Sequence, residues 1–142
     1  MNMTDTQVLN GSGGKVWINE EHYANVEKIS VKVTGKFEEV NCAGDFKTYQ
    51  QYVGYSIAGT LTLNKVNSFA GNTFAESYKT GVMPYVKIVT KLENPATKKA
   101  ERCILTGIKF SEFSVADFEA KALCKEEIPF TAVDFKFEEK IN

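Results

Sequence analysis

Apolar and polar residues alternate one by one along most of the chain. In the first long example, Ile29, Val31, Val33 and Phe37 share one side, and polar residues occupy the other. An alternation with a period of two is typical of β-strands that bury one face. We therefore expect a chain built mainly from strands. The same pattern recurs further along, in residues 57–64, 86–92, 104–110 and 130–137.

One segment departs from the alternation and predicts a helix. It starts at Asn67 or Ser68, either of which can cap a helix N-terminus, and it ends at Gly81, a residue typical of a helix C-cap. Phe74 and Tyr78 lie four residues apart between these ends, so both side chains fall on one helix face. The pattern predicts a single short helix.

The predicted order is three strands, the helix and three more strands. This order indicates a mainly β fold, either a small β-barrel or a two-layer sandwich, with one short α-helix packed on it and a long loop between two strands. At 142 residues the chain is expected to form a single domain, residues 1–142. We expect residues 1–13 to be a flexible N-terminal arm and residues 43–55 to be the extended loop.

Charge and cysteine content narrow the functional classes. Seventeen basic and eighteen acidic residues give a net charge of −1, and no long block of like charge occurs, which argues against a nucleic-acid binder. Three widely spaced cysteines predict reduced, half-buried thiols and folding in a cytosol. The polar start and the Thr- and Gln-rich stretch after residue 48 predict neither a secretory signal nor membrane binding.

The sequence contains no recognisable catalytic arrangement. His22 is the only histidine, and it lies in a predicted turn where a second catalytic group is rarely available. The acidic pairs are adjacent in sequence, so their carboxylates point to opposite faces of a strand. The glycine-rich segment at residues 11–14 lacks the Lys-Ser or Lys-Thr of a phosphate-binding loop. We therefore expect no catalytic, cofactor-binding or metal-binding residues, and no enzyme.

The predicted loop at residues 43–55 carries four aromatic residues, Phe46, Tyr49, Tyr52 and Tyr55, three positions apart. Stacking on nucleic-acid bases is disfavoured because only one basic residue lies close by. Two interpretations remain. The rings pack back onto the core of the same chain, or they are buried against another subunit, where Tyr and Phe are enriched.

Three stretches resemble a known family. They are GKVWINEEHYANVEKISVKV, VNCAGDFKTYQQYVGYSIAGTLTLNKVNSF and ALCKEEIPFTAVDFKFEEK. Together they are similar to the tail tube proteins of contractile phages (myoviruses) of the PBSX-like prophage type, which also form the inner tube of phage-tail-like bacteriocins. The resemblance runs from about residue 14 to the C-terminus.

The resemblance implies a structural role. It implies subunits that close into hexameric rings, which stack into a hollow inner tube that sheath contraction drives into a target cell. The implied partners are other copies of the chain, the sheath protein, and the baseplate and tape-measure proteins. If the particle is a phage, DNA passes through the lumen without specific binding. The implied location is the virion tail or a released bacteriocin particle.

Within this interpretation, Phe46, Tyr49, Tyr52 and Tyr55 form a loop that stacks one ring on the next. The polar residues Thr60, Thr62 and Asn64 are candidates for lining the lumen. Two other interpretations stay open. One is a tube and effector carrier of the type VI secretion kind, which shares the ring architecture. The other is a monomeric ligand-binding barrel of the lipocalin kind, which needs a cavity within its core.

Overall fold

The computed structural model describes residues 14–94 and 96–140, without the side chains of residues 70 and 72. The expected N-terminal arm at residues 1–13 lies outside the described residues. The elements are β1 (Gly14–Ile18), β2 (Glu21–His22), β3 (Val26–Asn41), β4 (Thr48–Asn64), α1 (Phe69–Thr73), α2 (Ala75–Thr80), β5 (Ile88–Asn94), β6 (Lys99–Thr106), β7 (Lys109–Phe110), β8 (Lys125–Ala132) and β9 (Asp134–Glu139).

The strands form two antiparallel sheets, ordered β2-β1-β5-β6-β9 and β3-β4-β8-β7. Apolar side chains from both sheets meet in one core, because alternate residues of each strand point inward. Leu61, Ile88 and Ile128 are completely buried there. The prediction of a mainly β chain is confirmed. Neither sheet closes within the described residues, so the two-layer sandwich is the correct one of the two predicted architectures.

Two of the points where the chain crosses from one sheet to the other lie side by side at one corner. Gly107 and Ile108 separate β6 from β7, and Val133 separates β8 from β9. Gly107 has φ +67°, and a Cβ atom added to it would lie 2.7 Å from Val133 Cγ2. The Val133 N–H donates to the Thr106 carbonyl at 3.0 Å. Two segments that were predicted as continuous strands, residues 104–110 and 130–137, are therefore each divided between the sheets.

The predicted helix is present as two consecutive short helices, α1 and α2. Gly81 ends α2 in a left-handed conformation (φ +79°), as predicted, and its N–H donates to the Ser77 carbonyl at 2.8 Å. Phe74 lies between the helices and stacks on Phe110 with ring centroids 4.4 Å apart. The Tyr78 hydroxyl donates to the Phe110 carbonyl. These contacts hold the helical segment against one end of the sandwich.

The expected loop at residues 43–55 is wrong in its extent. Strand β4 begins at Thr48, and β3 and β4 pair from Val26 opposite Leu63 to Asn41 opposite Thr48. Only residues 42–47 connect the strands. The backbone is satisfied by pairing along the hairpin, so the aromatic segment is a strand rather than an open loop.

Candidate self-assembly interface

The hairpin of β3 and β4 extends beyond the body of the sandwich. Strand β8 pairs with β4 only from Ile57 to Asn64, so no third strand of the described part of the chain lies beside residues 34–56. We call residues 34–56 the arm. Eight paired positions, from Thr34 to Asn41, give it a length of about 25 Å at the usual rise of ~3.3 Å per residue.

A β-bulge decides which aromatic residues share a face of the arm. Lys36 lies opposite Gly54, but Phe37 lies opposite Tyr52, so Val53 is the extra residue. Gly54 has φ +150°, a conformation that L side chains rarely adopt. The bulge reverses the alternation, and it places Tyr52 on the same face as Tyr55 although the two are three residues apart.

The face that carries Tyr52 and Tyr55 continues the core side of the sheet. Tyr52 contacts the Phe37 ring edge-on at 5.6 Å, and Tyr55 contacts Phe135 of β9 at 5.8 Å. Phe37, Tyr52 and Tyr55 nevertheless remain 43 to 57% exposed, and Val33 beside them is 47% exposed. We call Val33, Phe37, Tyr52 and Tyr55 the apolar stripe. In its outer part, Phe37 and Tyr52 are more than half exposed, so the described part of the opposing sheet does not cover them.

Tyr49 lies on the opposite face of the arm and is engaged within its own hairpin. Its hydroxyl donates to Asp45 Oδ2 at 2.6 Å, and the Lys47 N–H donates to Asp45 Oδ1 at 2.9 Å. The Tyr49 hydrogen bond lowers the pKa of Asp45 and raises the pKa of Tyr49, because it favours the carboxylate and the neutral phenol. Tyr49 therefore stabilises the turn rather than extending the apolar stripe.

Phe46 lies at the tip of the arm and is fully exposed. It follows Gly44 (φ +81°) and Asp45, which shape the connection between the strands. A phenylalanine at a turn tip gains nothing from folding of its own chain when its ring stays in water. The four predicted stacking residues are thus divided by the structure into a tip residue (Phe46), two stripe residues (Tyr52 and Tyr55) and a turn residue (Tyr49).

Val33 and Phe37 belong to the stripe but were not predicted as interface residues. The alternation in β3 placed them on the side of Ile29 and Val31, which is correct. The sequence pattern contains no sign of where the body of the sandwich ends, so a stripe residue and a core residue look alike. The extent of the pairing between β4 and β8 distinguishes the core residues from the stripe residues.

The three residues predicted to line a lumen share the polar face of the β3-β4-β8-β7 sheet. Thr60 and Thr62 are half-buried and Asn64 is exposed. The alternation places charged residues of both signs on the same face, with Lys125 Nζ 3.0 Å from Glu27 Oε1. The face is therefore polar, and besides its threonines it carries several lysines, namely Lys28, Lys32, Lys36, Lys109 and Lys125.

A cavity of about 740 Å³ opens between β3 and the strands of the other sheet. Its lining mixes apolar residues such as Val26, Ile29 and Leu92 with charged ones such as Lys28 and Glu101. The cavity lies where the two sheets separate, at an edge strand, and not inside a closed barrel. This geometry differs from the enclosed ligand cavity that a lipocalin-like barrel requires.

Two further searches cover the described part of the chain. Within it, no cluster of three or more His, Cys, Asp or Glu residues is arranged to hold a metal ion. Nor does any helix there have the length and apolar character needed to cross a bilayer. His22 lies at the edge of its sheet, with its ring 5.4 Å from that of Trp17.

Comparisons with known proteins agree with this architecture. The curated relative "Phage-like element PBSX protein XkdM" of Bacillus subtilis (strain 168) is 28% identical over 137 residues, covering 94% of this chain and 92% of the relative. One similar solved structure is a contractile injection system "PVC sheath-tube complex", with a TM-score of 0.74 and 12% sequence identity; the match covers 98% of this chain and 100% of the other. Another is an anti-feeding prophage "tube terminating cap", with a TM-score of 0.78 and 10% identity, covering 99% of this chain and 97% of the other.

At such low identity the two structures establish a shared fold and nothing finer. The family assignment comes from a family model described as "Phage tail tube protein", which matches residues 1–139. This match covers almost the whole chain, and it includes both sheets and the arm. The chain belongs to the phage tail tube protein family.

Proposed function

We propose that this chain is the inner tail tube subunit of a contractile phage tail or phage-tail-like bacteriocin, and that its copies close into hexameric rings that stack through the arm. The observation that carries the stacking proposal is the arm itself. A two-stranded ribbon that exposes Phe46 and the apolar stripe is marginally stable alone in water. Burial against another copy removes this exposed apolar surface.

The two parts of the arm have different roles in this proposal. Phe46 inserts into the neighbouring ring as an anchor, because aromatic residues dominate the centres of protein interfaces. The apolar stripe is covered by an adjacent copy along its length. Strand β3 also has a free edge, since β4 is its only partner among the strands that the structure describes. Closure into a ring gives such an edge a partner and prevents open-ended aggregation.

The polar face of the β3-β4-β8-β7 sheet is the proposed lumen surface. Thr60, Thr62 and Asn64 lie near its centre, and acidic residues accompany its lysines. Mixed charge weakens phosphate capture compared with a purely basic wall, which suits DNA that passes without specific binding. The sheath, baseplate and tape-measure proteins are the further partners of such a tube. The role is structural, with no enzymatic step, and the chain is made in the bacterial cytoplasm before it enters the particle.

Phe46→Asp tests the stacking role. We expect the purified variant to remain folded, because the Phe46 ring is fully exposed, but to lose tubes in negative-stain images at concentrations where the unmodified chain forms them. A charge in a desolvated interface pocket lowers affinity by about tenfold or more per contact, and the loss repeats at every subunit of a ring. Sedimentation velocity measures the remaining rings and monomers.

Phe46→Leu is the matched control, since it keeps an apolar anchor and should keep the tubes. Tyr49→Phe is the second control, because it removes the hydrogen bond to Asp45 but retains the ring. Tubes of normal length from the Phe46→Asp variant would rule out the arm tip as a stacking contact. A chain that stays monomeric at every concentration, without any substitution, would contradict self-assembly as a whole.

A further inference from the structure

The outer face of the β2-β1-β5-β6-β9 sheet carries a transverse row of apolar residues. Trp17 lies directly opposite Val89, and Val89 lies directly opposite Ile104. All three are half-buried although they point away from the core. His22 and Lys136 continue the row at its two ends. We call Trp17, Val89 and Ile104 the apolar row.

A row of three cations runs beside the apolar row on the same face. Lys15 lies directly opposite Lys91, and Lys91 lies directly opposite Arg102. We call Lys15, Lys91 and Arg102 the cation row. Like charges directly opposite each other in an antiparallel sheet are destabilising. The fold of the isolated chain therefore gains nothing from placing these three side chains together.

The ion pairs within the described residues relieve the cation row only in part. Lys91 Nζ lies 3.8 Å from Glu93 Oε2, and Arg102 Nη1 lies 3.7 Å from Glu138 Oε2. Both separations exceed the range of a good charge-assisted hydrogen bond. Lys15 takes part in none of the three ion pairs found in residues 14–94 and 96–140.

Arg102 links the two rows and is incompletely satisfied. Its guanidinium lies over the Trp17 ring, with Cζ 6.0 Å from the ring centroid. Its Nε is buried and has no hydrogen-bond partner among the described residues. Buried donors without acceptors are costly, and they are rare in folded proteins. The neighbourhood thus combines an unused donor, repelling cations and a half-exposed tryptophan.

We propose that this face is a docking surface for an acidic segment of a different protein. The segment places carboxylates over the cation row and apolar side chains on the apolar row. Carboxylates relieve the repulsion among Lys15, Lys91 and Arg102 and supply acceptors to the guanidinium. Trp and Arg are the residues most often found at the energetic centres of interfaces.

An acidic polypeptide fits this face better than nucleic acid does. Glu93, Glu138 and Glu139 lie beside the cation row and repel phosphates and carboxylates alike. The apolar row makes the distinction, because it has no counterpart on a phosphate backbone. The aliphatic side chains of Val89 and Ile104 match apolar side chains of a protein. The proposal goes beyond the stacking role, because the face belongs to the sheet that does not form the arm.

Trp17 is the only tryptophan of the chain, so its fluorescence reports directly on this face. The probe is a synthetic amphipathic helical peptide with one Glu stripe beside one Leu stripe, added to the full-length dispersed protein at low salt. We expect a saturable change in Trp17 emission that weakens as salt is added. The same peptide with Gln in place of Glu should bind about tenfold or more weakly.

Matched charge variants locate the binding. Lys15→Gln combined with Lys91→Gln should weaken peptide binding by about tenfold. Lys28→Gln combined with Lys32→Gln makes the same charge change on the other sheet and should alter it by less than about twofold. Both lysines in the first variant oppose like charges, so their replacement is expected to leave the chain folded.

Several outcomes would overturn the proposal. One is an equal loss of the Trp17 emission change in the Lys15→Gln, Lys91→Gln variant and in the Lys28→Gln, Lys32→Gln variant. Another is the absence of any saturable emission change in the unmodified chain. Duplex DNA that competes as well as the Glu peptide would assign the face to nucleic acid. Protection of Trp17 from acrylamide quenching on assembly would assign it to another copy of the chain. The peptide titration requires no tubes, so its failure is distinguishable from failure of the stacking proposal.

Discussion

Glu126 is a charged residue on the core side of strand β8. It lies opposite Leu63 and is only 6% exposed. Burial raises the pKa of its carboxyl, and the nearby Lys65 opposes this effect in part. The folded state therefore holds the proton more tightly than the unfolded state, whose carboxyl titrates near 4.5. We therefore expect the contribution of Glu126 to the free energy of unfolding to fall as the pH rises from about 4.5 through the raised pKa of the folded state.

Glu126→Gln should remove this dependence. We expect the variant to be more stable than the unmodified chain near pH 7 and equally stable well below pH 4.5, where both side chains are neutral. Urea unfolding of the dispersed protein at several pH values measures the difference. Glu127→Gln is the control, because its exposed side chain lies on the other face. A less stable Glu126→Gln variant at neutral pH would show that the carboxylate is favourably paired, with Lys65 as the candidate.

At the residue scale, the sequence predicted which side of a single strand a residue occupies better than it predicted where that residue lies once two strands pair. The alternation of β3 correctly predicted which side Val33 and Phe37 occupy. The three-residue spacing of Tyr49, Tyr52 and Tyr55 gave no sign that a bulge at Val53 brings Tyr52 onto the face of Tyr55, with Tyr49 on the other face. A bulge depends on the pairing of two strands, which a single-strand pattern does not contain.

The arm is the element whose geometry depends most on one residue, Gly54. Its φ of +150° is available to glycine but rarely to other residues, so Gly54→Val should disfavour the bulge. Without the bulge, Tyr52 moves out of register with Phe37 and points to the polar face. We expect faster amide hydrogen exchange in the arm and weaker tube formation, with little change in the exchange of β5 and β6.

Ser56→Val is the matched control for this substitution. Ser56 is exposed, lies two residues further along β4 and pairs normally with Thr34. A β-branched residue is favourable in such a strand position. Equal exchange rates in the arms of the two variants would show that the bulge does not determine the register.

At the element scale, the sequence distinguished strands from helix but not a long strand from a loop. Residues 48–56 contain polar, aromatic and glycine residues without a period of two, because the bulge interrupts the alternation. The helix was predicted from its caps, and Gly81 does end α2. The division into α1 and α2 at Phe74 had no signal, since it follows from packing of the Phe74 ring against Phe110.

The corner at Gly107 and Val133 links the two sheets to each other. Gly107→Ala should destabilise the chain by about 2 to 4 kcal/mol, because the positive φ is strained for alanine and the new Cβ collides with Val133. Gly81→Ala is a matched control with a similar φ and open space around it. It should cost only about 1 kcal/mol. Equal costs in urea unfolding would mean that the corner relaxes freely.

For the whole molecule, the sequence predicted the class of fold and left two architectures open. Runs such as residues 104–110 look like uninterrupted strands, and only the close approach of Gly107 to Val133 shows that they change sheets. The aromatics of the arm were recognisable in the sequence as an unusual cluster, but their division into tip, stripe and turn required the partner strand. The cation row was not predictable, because Lys15 meets Lys91 and Arg102 of the consecutive strands β5 and β6 only when β1, far away in sequence, pairs with β5.

The two-stranded nature of the arm has a consequence for kinetics. Among the described residues, no third strand supports residues 34–56. Under the proposed function, the first copies to meet therefore order their arms while few intersubunit contacts offset the entropy cost. Each later copy joins a surface that is already ordered. Polymer growth with a lag phase and a sharp concentration threshold follows from this difference. Under the proposed function, such a subunit stays dispersed until a preformed end is available to seed elongation.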